Sequence, residues 1–312
     1  MQGIGGKKMN KIDKDLLSII ADLHSAPEGS YNIRKNGQSV ERKTTAEIDI
    51  TTKNDKPGID IVVKPNVVGK SVHIPVIITQ TGLTESVYND FFVGENSDVV
   101  IVAGCGIHNP GTEKSEHDGI HRFFVKKGAK VKYIERHYGY GKKAEKVLSP
   151  TTEVFLEEGA EMQMETHQIG GVSHAIRKTK ATLKDNAKLV IHEKILTEED
   201  QTAETHFDVK LKGKNSSVQV VSRSVAKGNS YQKFVSNIVG ENECFGHVEC
   251  DAILLDGARV VSVPKIDAKT AEASLVHEAA IGKIAGDELI KLKTLGLSQE
   301  EAENVIIQGY LN

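Results

Sequence analysis

The chain has 312 residues, 38% of them hydrophobic and 27% charged, with a formal net charge of -3. That length can bury a sizeable core in one or two domains, and the near-neutral charge gives no ground for nucleic acid as a partner. The longest apolar runs are about five residues, as in Val99-Val100-Ile101-Val102-Ala103, far short of a membrane span.

No signal peptide opens the chain, and M-Q-G-I-G-G-K-K reads as a flexible leader before Met9. Over 11–24, Ile12, Leu16, Ile19, Ile20 and Leu23 fall on one face of a helix. From about residue 30 to 275 helical periodicity is nearly absent. Short alternating segments take its place, at 47–51, 59–63, 72–79, 119–125, 152–155, 206–210 and 248–255.

Among them one pattern recurs: Gly or Asn, then Ala or Ser, then alternating apolar positions. It reads N-S-D-V-V-I at 96, G-A-K-V-K-Y at 128, G-A-E-M-Q-M at 159, N-A-K-L-V-I at 186, N-S-S-V-Q-V at 215 and G-A-R-V-V-S at 257. Successive starts lie 32, 31, 27, 29 and 42 residues apart. Each copy predicts a turn followed by a strand. Strand repeats of this length without intervening helices suit a solenoid of stacked coils. The expected fold is mainly β, a right-handed parallel β-helix. A β-sandwich is the alternative, but its hairpins should leave frequent turn signals, and Asn-Gly occurs once, at Asn36-Gly37.

Residues 287–295 read as a helix stopped by Gly296. Ser298 and Glu301 form a capping box for another, which Gly309 closes. Helices at both ends are expected to cover the open ends of the solenoid. The chain thus divides into a leader and helix (1–30), a β-helix core (31–275) and a C-terminal helical segment (276–312).

Three cysteines, Cys105, Cys244 and Cys250, do not suit a disulfide scaffold and fit a reducing cytoplasm. Cys105 stands between two glycines, which permit close approach to an exposed, reactive thiol. The plainer reading is a small buried residue at a strand end. Cys105-x2-His108 and His117-x3-His121 supply ligand types suited to zinc or iron, although zinc sites of that shape normally carry two cysteines. Metal site, reactive thiol and solvated loop all stay open on spacing alone. Alternation puts Cys250 with Val248 and Ala252 on one strand face, and Glu249 with Asp251 on the other. Cys244, in G-E-N-E-C-F-G, should lie exposed on a turn. His277-Glu278 sets a base beside an acid in A-S-L-V-H-E-A-A-I-G-K-I, where a solvated edge is the other reading. No G-x-x-x-x-G-K-[ST], no G-x-S-x-G and no G-x-G-x-x-G after a strand occurs, so no bound ATP is expected.

Two blocks carry a resemblance: C-D-A-I-L-L-D-G-A-R-V-V-S-V-P-K-I-D from 250, and V-H-E-A-A-I-G-K-I-A-G-D-E-L-I-K-L-K-T-L-G-L-S-Q-E-E-A-E-N-V-I-I-Q-G-Y from 276. A weaker match covers 81–138, with T-G-L-T-E, A-G-C and G-A-K-V-K-Y. Together these resemble the SufB/SufD family, scaffold subunits of iron–sulfur cluster assembly, whose fold is a parallel β-helix flanked by helices. The resemblance implies that Cys105 matches the thiol that receives sulfur in SufB subunits. It implies that Cys250 matches a second thiol near the subunit interface, that His277 matches a histidine shared by both subunit types, and that Glu278 matches the glutamate typical of SufB. The implied cargo is a transient iron–sulfur cluster. The implied partners are a SufC-type ATPase, a cysteine desulfurase or other sulfur donor, and a second subunit in a homodimer or SufB–SufD-like heterodimer. Three features depart from the family pattern. The chain is short at both ends, Val276 replaces the glutamate before His-Glu, and the residues lining the sulfur path differ around 137–139.

The first expectation is therefore a short SufB-like, non-enzymatic scaffold holding iron and sulfide on Cys250, His277 and Glu278. A SufD-like stabilising subunit is the second. A β-helix enzyme is the third, but neither the six-residue period of an acyltransferase nor the secretion signal of a lyase is present.

Overall fold

The residue that opens five of the six repeat copies explains the repeat, while in the sixth the left-handed residue is Asp256, one place before Gly257. In the computed structural model Asn96, Gly128, Gly159, Asn186 and Asn215 have φ between 55° and 66°, the left-handed region. Glycine adopts it freely and asparagine at small cost, which restricts the position to those two. The small residue behind it (Ser97, Ala129, Ala160, Ala187 or Ser216) is buried at the corner of the coil. Each of these turns feeds a strand of one parallel sheet: Asp98–His108, Lys130–Tyr140, Glu161–Gln168, Lys188–Thr197 and Ser216–Ala226. The copy at 257 instead feeds Arg259–Ala268 in the other sheet, which accounts for the 42-residue step.

The structure describes residues 9–141, 144–168 and 170–311, so the expected leader lies outside the described residues. The chain alternates between two ten-stranded sheets and builds a parallel β-solenoid of about 8 turns, with 59% of residues in strands and 11% in helices. Inward positions of both sheets close on one apolar core that includes Ile101, Tyr133 and Met164 from one sheet and Phe91, Phe123 and Val154 from the other. At the N-terminal end each sheet finishes in an antiparallel strand: Gln38–Lys43 on Ser30–Lys35, and Ile48–Thr52 on Gly58–Val63. The single Asn-Gly makes the first of these hairpins.

Helix α1 (Lys11–Ala21) starts at a capping box formed by Asn10 and Asp13. It lies on the outer flank of the first sheet, where Leu16, Leu17 and Ile20 meet Ile33, Ile77 and Val102. Helix α2 (Gly286–Thr294) packs on α3 (Gln299–Leu311), and α3 rests on the strand Ser216–Ala226. The helices thus cover flanks, not ends as expected, because the apolar surface that matches their stripes is on the sheet. The Ser298–Glu301 capping box forms, with N–H···O distances of 2.8 and 3.2 Å, but α3 runs through Gly309 to Leu311. The last strand is Ala273–Gly282, so the solenoid extends past the expected boundary at 275. Its C-terminal end is open, and Val263, Ile266, Val276 and Ile281 are exposed there. Among the described residues no helix is long and apolar enough to cross a membrane.

Candidate functional site

Cys105 is 1% exposed, on the inward face of Asp98–His108. Its glycine neighbours face outward. A Cβ on Gly104 would stand 2.9 Å from the Ile20 carbonyl oxygen, and one on Gly106 3.1 Å from the Leu16 side chain. The glycines therefore admit α1 to the sheet and do not expose the thiol, which corrects the expectation of an accessible cysteine. Burial, reinforced by the carboxylates of Glu85 and Glu135, pushes the Cys105 thiol well above its usual range. It is a protonated thiol at neutral pH.

Three of the residues singled out in the sequence do converge. Cys105, His117 and His121 line a cavity of about 10 Å³ together with Glu135 and His137. His108 faces the other way and packs against Tyr140 at 5.2 Å between ring centroids. No group of three or more His, Cys, Asp or Glu among the described residues is placed to hold a metal ion. The expected set of Cys105, His108, His117 and His121 is therefore not assembled in the single chain, because strand alternation splits it between faces.

The histidines are held in a hydrogen-bonded network. Asn89 Nδ2 donates to His121 Nε2 at 3.2 Å, His121 Nδ1 donates to the Tyr133 hydroxyl at 2.7 Å, and that hydroxyl donates to Glu135 Oε1 at 2.9 Å. Arg177 pairs with Glu135 and donates to His137 Nδ1 at 3.0 Å. A guanidinium only donates, so the His137 proton sits on Nε2, 3.6 Å from Glu135 Oε1. Burial lowers His121 to about 4 and lowers His137 as well. Burial works to raise Glu135, but Arg177 and His137 outweigh it and hold the carboxyl well below its usual range. On the other side His117 Nδ1 donates to Glu85 Oε1 at 3.1 Å, and Arg34 reaches Glu85 Oε2 at 3.3 Å.

From this cluster an inward polar row runs along the solenoid. Glu135, Thr166, Glu193, Ser222 and Cys250 are successive register partners on five neighbouring strands. Thr205 and Ser222 donate to Glu193 at 3.0 and 2.8 Å, and Arg177 Nε lies 3.7 Å from it. Thr166 Oγ1, Gln168 Nε2 and Thr179 Oγ1 in the same interior have no hydrogen-bond partner among the described residues. Each such group costs about 1–3 kcal/mol if left dry. Cys105 and Cys250 are five strand spacings apart in one sheet, roughly 24 Å at about 4.8 Å per spacing.

Cys250 is 2% exposed, and burial pushes its thiol up to about 12. On the adjacent strand His277 lies beside Val248, and Ala279 beside Cys250, so His277 and Cys250 are diagonal neighbours on one face. Both ring nitrogens of His277 are without a hydrogen bond among the described residues. Glu278 points to the opposite face, with its carboxylate 3.5 Å from His247 Nε2. The coil thus brings Cys250 and His277 together and leaves Glu278 apart, as any two successive strand residues must be. Cys244 opens the strand Cys244–Leu254 and is buried, not exposed on a turn.

Sequence reasoning missed Glu135, Arg177 and Glu193. The phase of the apolar residues marks the first two: Val131 and Tyr133 lead to Glu135 and His137, and Ala175 leads to Arg177 and Thr179, at every second position. A charge in inward phase was the available signal.

Comparison with known proteins identifies the family. Residues 79–310 match the family described as SUF system FeS cluster assembly, SufBD core domain. An iron-sulfur cluster assembly SufBD family protein of Archaeoglobus fulgidus is 30% identical over 250 residues, covering 78% of this chain and 66% of that protein. One from Methanothermobacter thermautotrophicus is 28% identical over 232 residues, covering 73% and 55%. One from Pyrococcus horikoshii is 26% identical over 302 residues, covering 94% and 84%. The chain spans between half and two thirds of the length of the first two relatives. With the family match extending over most of the solenoid and into α3, the protein belongs to the SufBD family.

Proposed function

We propose that the chain is a SufB-like scaffold subunit of iron–sulfur cluster assembly, a carrier and not an enzyme. Cys105 accepts sulfur from a persulfide on a cysteine desulfurase or another sulfur donor. Cys250 and His277 hold iron and sulfide as cargo at the open end of the solenoid. The observation that carries the reading is the inward polar row Glu135, Thr166, Glu193, Ser222, which leads from the Cys105 cavity to Cys250. Thiolate and imidazole suit iron, and a site with few thiolates leaves its cluster labile enough to pass on.

One thiol and one imidazole are half a ligand set. A second chain seated on the apolar end at Val263, Ile266, Val276 and Ile281 would double it, as a homodimer or a SufB–SufD-like heterodimer. Glu278, on the other face, stands outside this site. A SufC-type ATPase is the proposed partner that changes the subunit arrangement, since this chain has no phosphate loop of its own. The cysteine must lose its proton to take iron, so loading should speed up with rising pH.

Anaerobic reconstitution with iron and sulfide tests the reading. A visible chromophore on a dimer is expected, lost in Cys250→Ser and in His277→Ala and kept in Cys244→Ser. A chromophore that survives the double change of Cys250 and His277 refutes the site. The burial of both thiols favours one rival, a SufD-like subunit whose cysteines are core residues. In that case neither cysteine change alters complex formation with the ATPase, and Cys105 takes up no sulfur.

A further inference from the structure

The strand Ser115–Val125 buries every second residue, and between the inward His117 and His121 the inward residue is Gly119. Its register partner on the preceding coil is Val87, which fills its own place with a side chain. At Gly119 that space is vacant. It forms the cavity of about 10 Å³ bounded by Cys105, His117, His121, Glu135 and His137.

Two observations set this hole apart from a packing fault. A Cβ on Gly119 would stand 3.4 Å from His121 Nε2 and 3.6 Å from His117 Nε2, ordinary contact distances. The residue is also absent from the positive-φ glycines, so neither packing nor backbone demands a glycine there. His117 is only 4% exposed and bonds Glu85 through Nδ1. Its Nε2 faces the vacant position and makes no hydrogen bond among the described residues. A buried ring nitrogen left open beside a space of one-atom size points to a small polar occupant.

We propose that the cavity is a sulfane pocket, which seats the outer sulfur of a persulfide on Cys105 against His117 Nε2. This rests on Cys105 being a sulfur acceptor and adds a site that limits the load to one atom. In the step, the Cys105 sulfur, giving up its thiol proton as it reacts, attacks the outer sulfur of a donor persulfide, R–S–SH. An S–S bond forms at Cys105 as the donor's S–S bond breaks, and the donor leaves as R–SH with the proton that Cys105 gave up. One S–S bond replaces another, so no outside oxidant or reductant is needed. Ile74, Val76 and Leu148 add apolar surface to the pocket wall.

Inorganic polysulfide is a donor small enough to test this on the full chain without oxygen, with mass spectrometry of the Cys105 peptide as readout. The wild type should carry one added sulfur. Gly119→Ala places a methyl in the pocket and should lower the persulfidated fraction about tenfold, the scale set by overpacking one methyl-sized group. Its far-ultraviolet spectrum and unfolding midpoint should stay near wild type. Ile74→Val in that background returns room and should restore part of the loss. Gly119→Ala taking up sulfur like the wild type overturns the pocket but leaves Cys105 as acceptor. Wild-type Cys105 loaded equally with chains of two or more sulfurs also overturns the pocket, whatever the variant's folding. A wild type with no sulfur on Cys105 overturns the proposed function itself.

Discussion

Cys105 and Cys250 lie on strands of the same sheet and point to the same interior, but they meet different surroundings. Around Cys105 one small pocket is left, at Gly119: α1 covers the outside, and Glu135, Arg177, His121 and His137 form a paired network within. Around Cys250 the solenoid is about to stop. One strand further on, His277 has two ring nitrogens unbonded among the described residues, and the outer faces of the last coil are bare. Apart from the small pocket at Gly119, the region around Cys105 pairs its own charges, so it should be sensitive to loss of those charges and to overpacking elsewhere. The open region carries the proposed cargo site, so changes there should cost function and little stability.

Arg177→Met should show the largest effect on stability. It leaves the buried Glu135 and Glu193 facing each other's neighbourhood without their shared cation. Removing one partner of a buried charge pair typically costs about 3–5 kcal/mol. Denaturant unfolding should show that loss, and a change below about 1 kcal/mol would mean the network is not as dry as its burial implies.

Acid should act on the closed region next. The His121 value of about 4 lies below the usual value of an unfolded histidine. The unfolded chain therefore binds this proton at higher pH than the folded one. Stability is full above about pH 6.5 and falls as pH drops towards 4, by about 3 kcal/mol for this one group. Glu135, held low by Arg177 and His137 against its burial, adds a loss in the same direction further down in the carboxylate range. His121→Gln should flatten the limb between pH 6.5 and 4 in unfolding midpoints measured across pH. An unchanged slope would assign that limb to other groups, such as His167, also lowered to about 4 by burial.

Gly106→Val tests the outer wall of the same region. Its Cβ would press on Leu16 at 3.1 Å, and the extra methyls have no room. Overpacking of this kind costs about 1–3 kcal/mol. Because α1 is a flanking element, proteolysis near residues 22–29 should accelerate while the solenoid keeps its far-ultraviolet signature.

The solenoid was legible in the sequence because a backbone requirement repeats at fixed spacing: the left-handed turn accepts Gly or Asn, and the buried corner accepts Ala or Ser. The seats of the helices were not. An amphipathic stripe such as Leu16, Leu17 and Ile20 shows that a helix has a partner but not which surface offers it. The inward charges could be found from strand phase, but the pairing of Glu135 with Arg177, 42 residues apart, is set by coil stacking. The mismatch of Glu278 follows from alternation too. The resemblance pairs Glu278 with His277 by sequence, but the segment continues the last strand and sets the two on opposite faces.

The smallest stability effect belongs to the open end. His277 has neighbours but no hydrogen-bond partner for either nitrogen among the described residues, so its ring is held at a cost, not a gain. Replacing an unsatisfied buried polar group with an apolar one of similar shape is near neutral or stabilising. His277→Leu should therefore change unfolding free energy by less than about 0.5 kcal/mol, or raise it, while the reconstituted chromophore disappears. A loss of stability comparable to Arg177→Met would show that His277 is bonded within its own chain, and the contrast between a closed and an open region would fail. Retained stability with a lost chromophore would locate the missing partner of His277 in the cargo or in a second chain. Measuring the midpoint at two protein concentrations separates these, because a partner chain makes the wild-type midpoint rise with concentration and bound cargo alone does not.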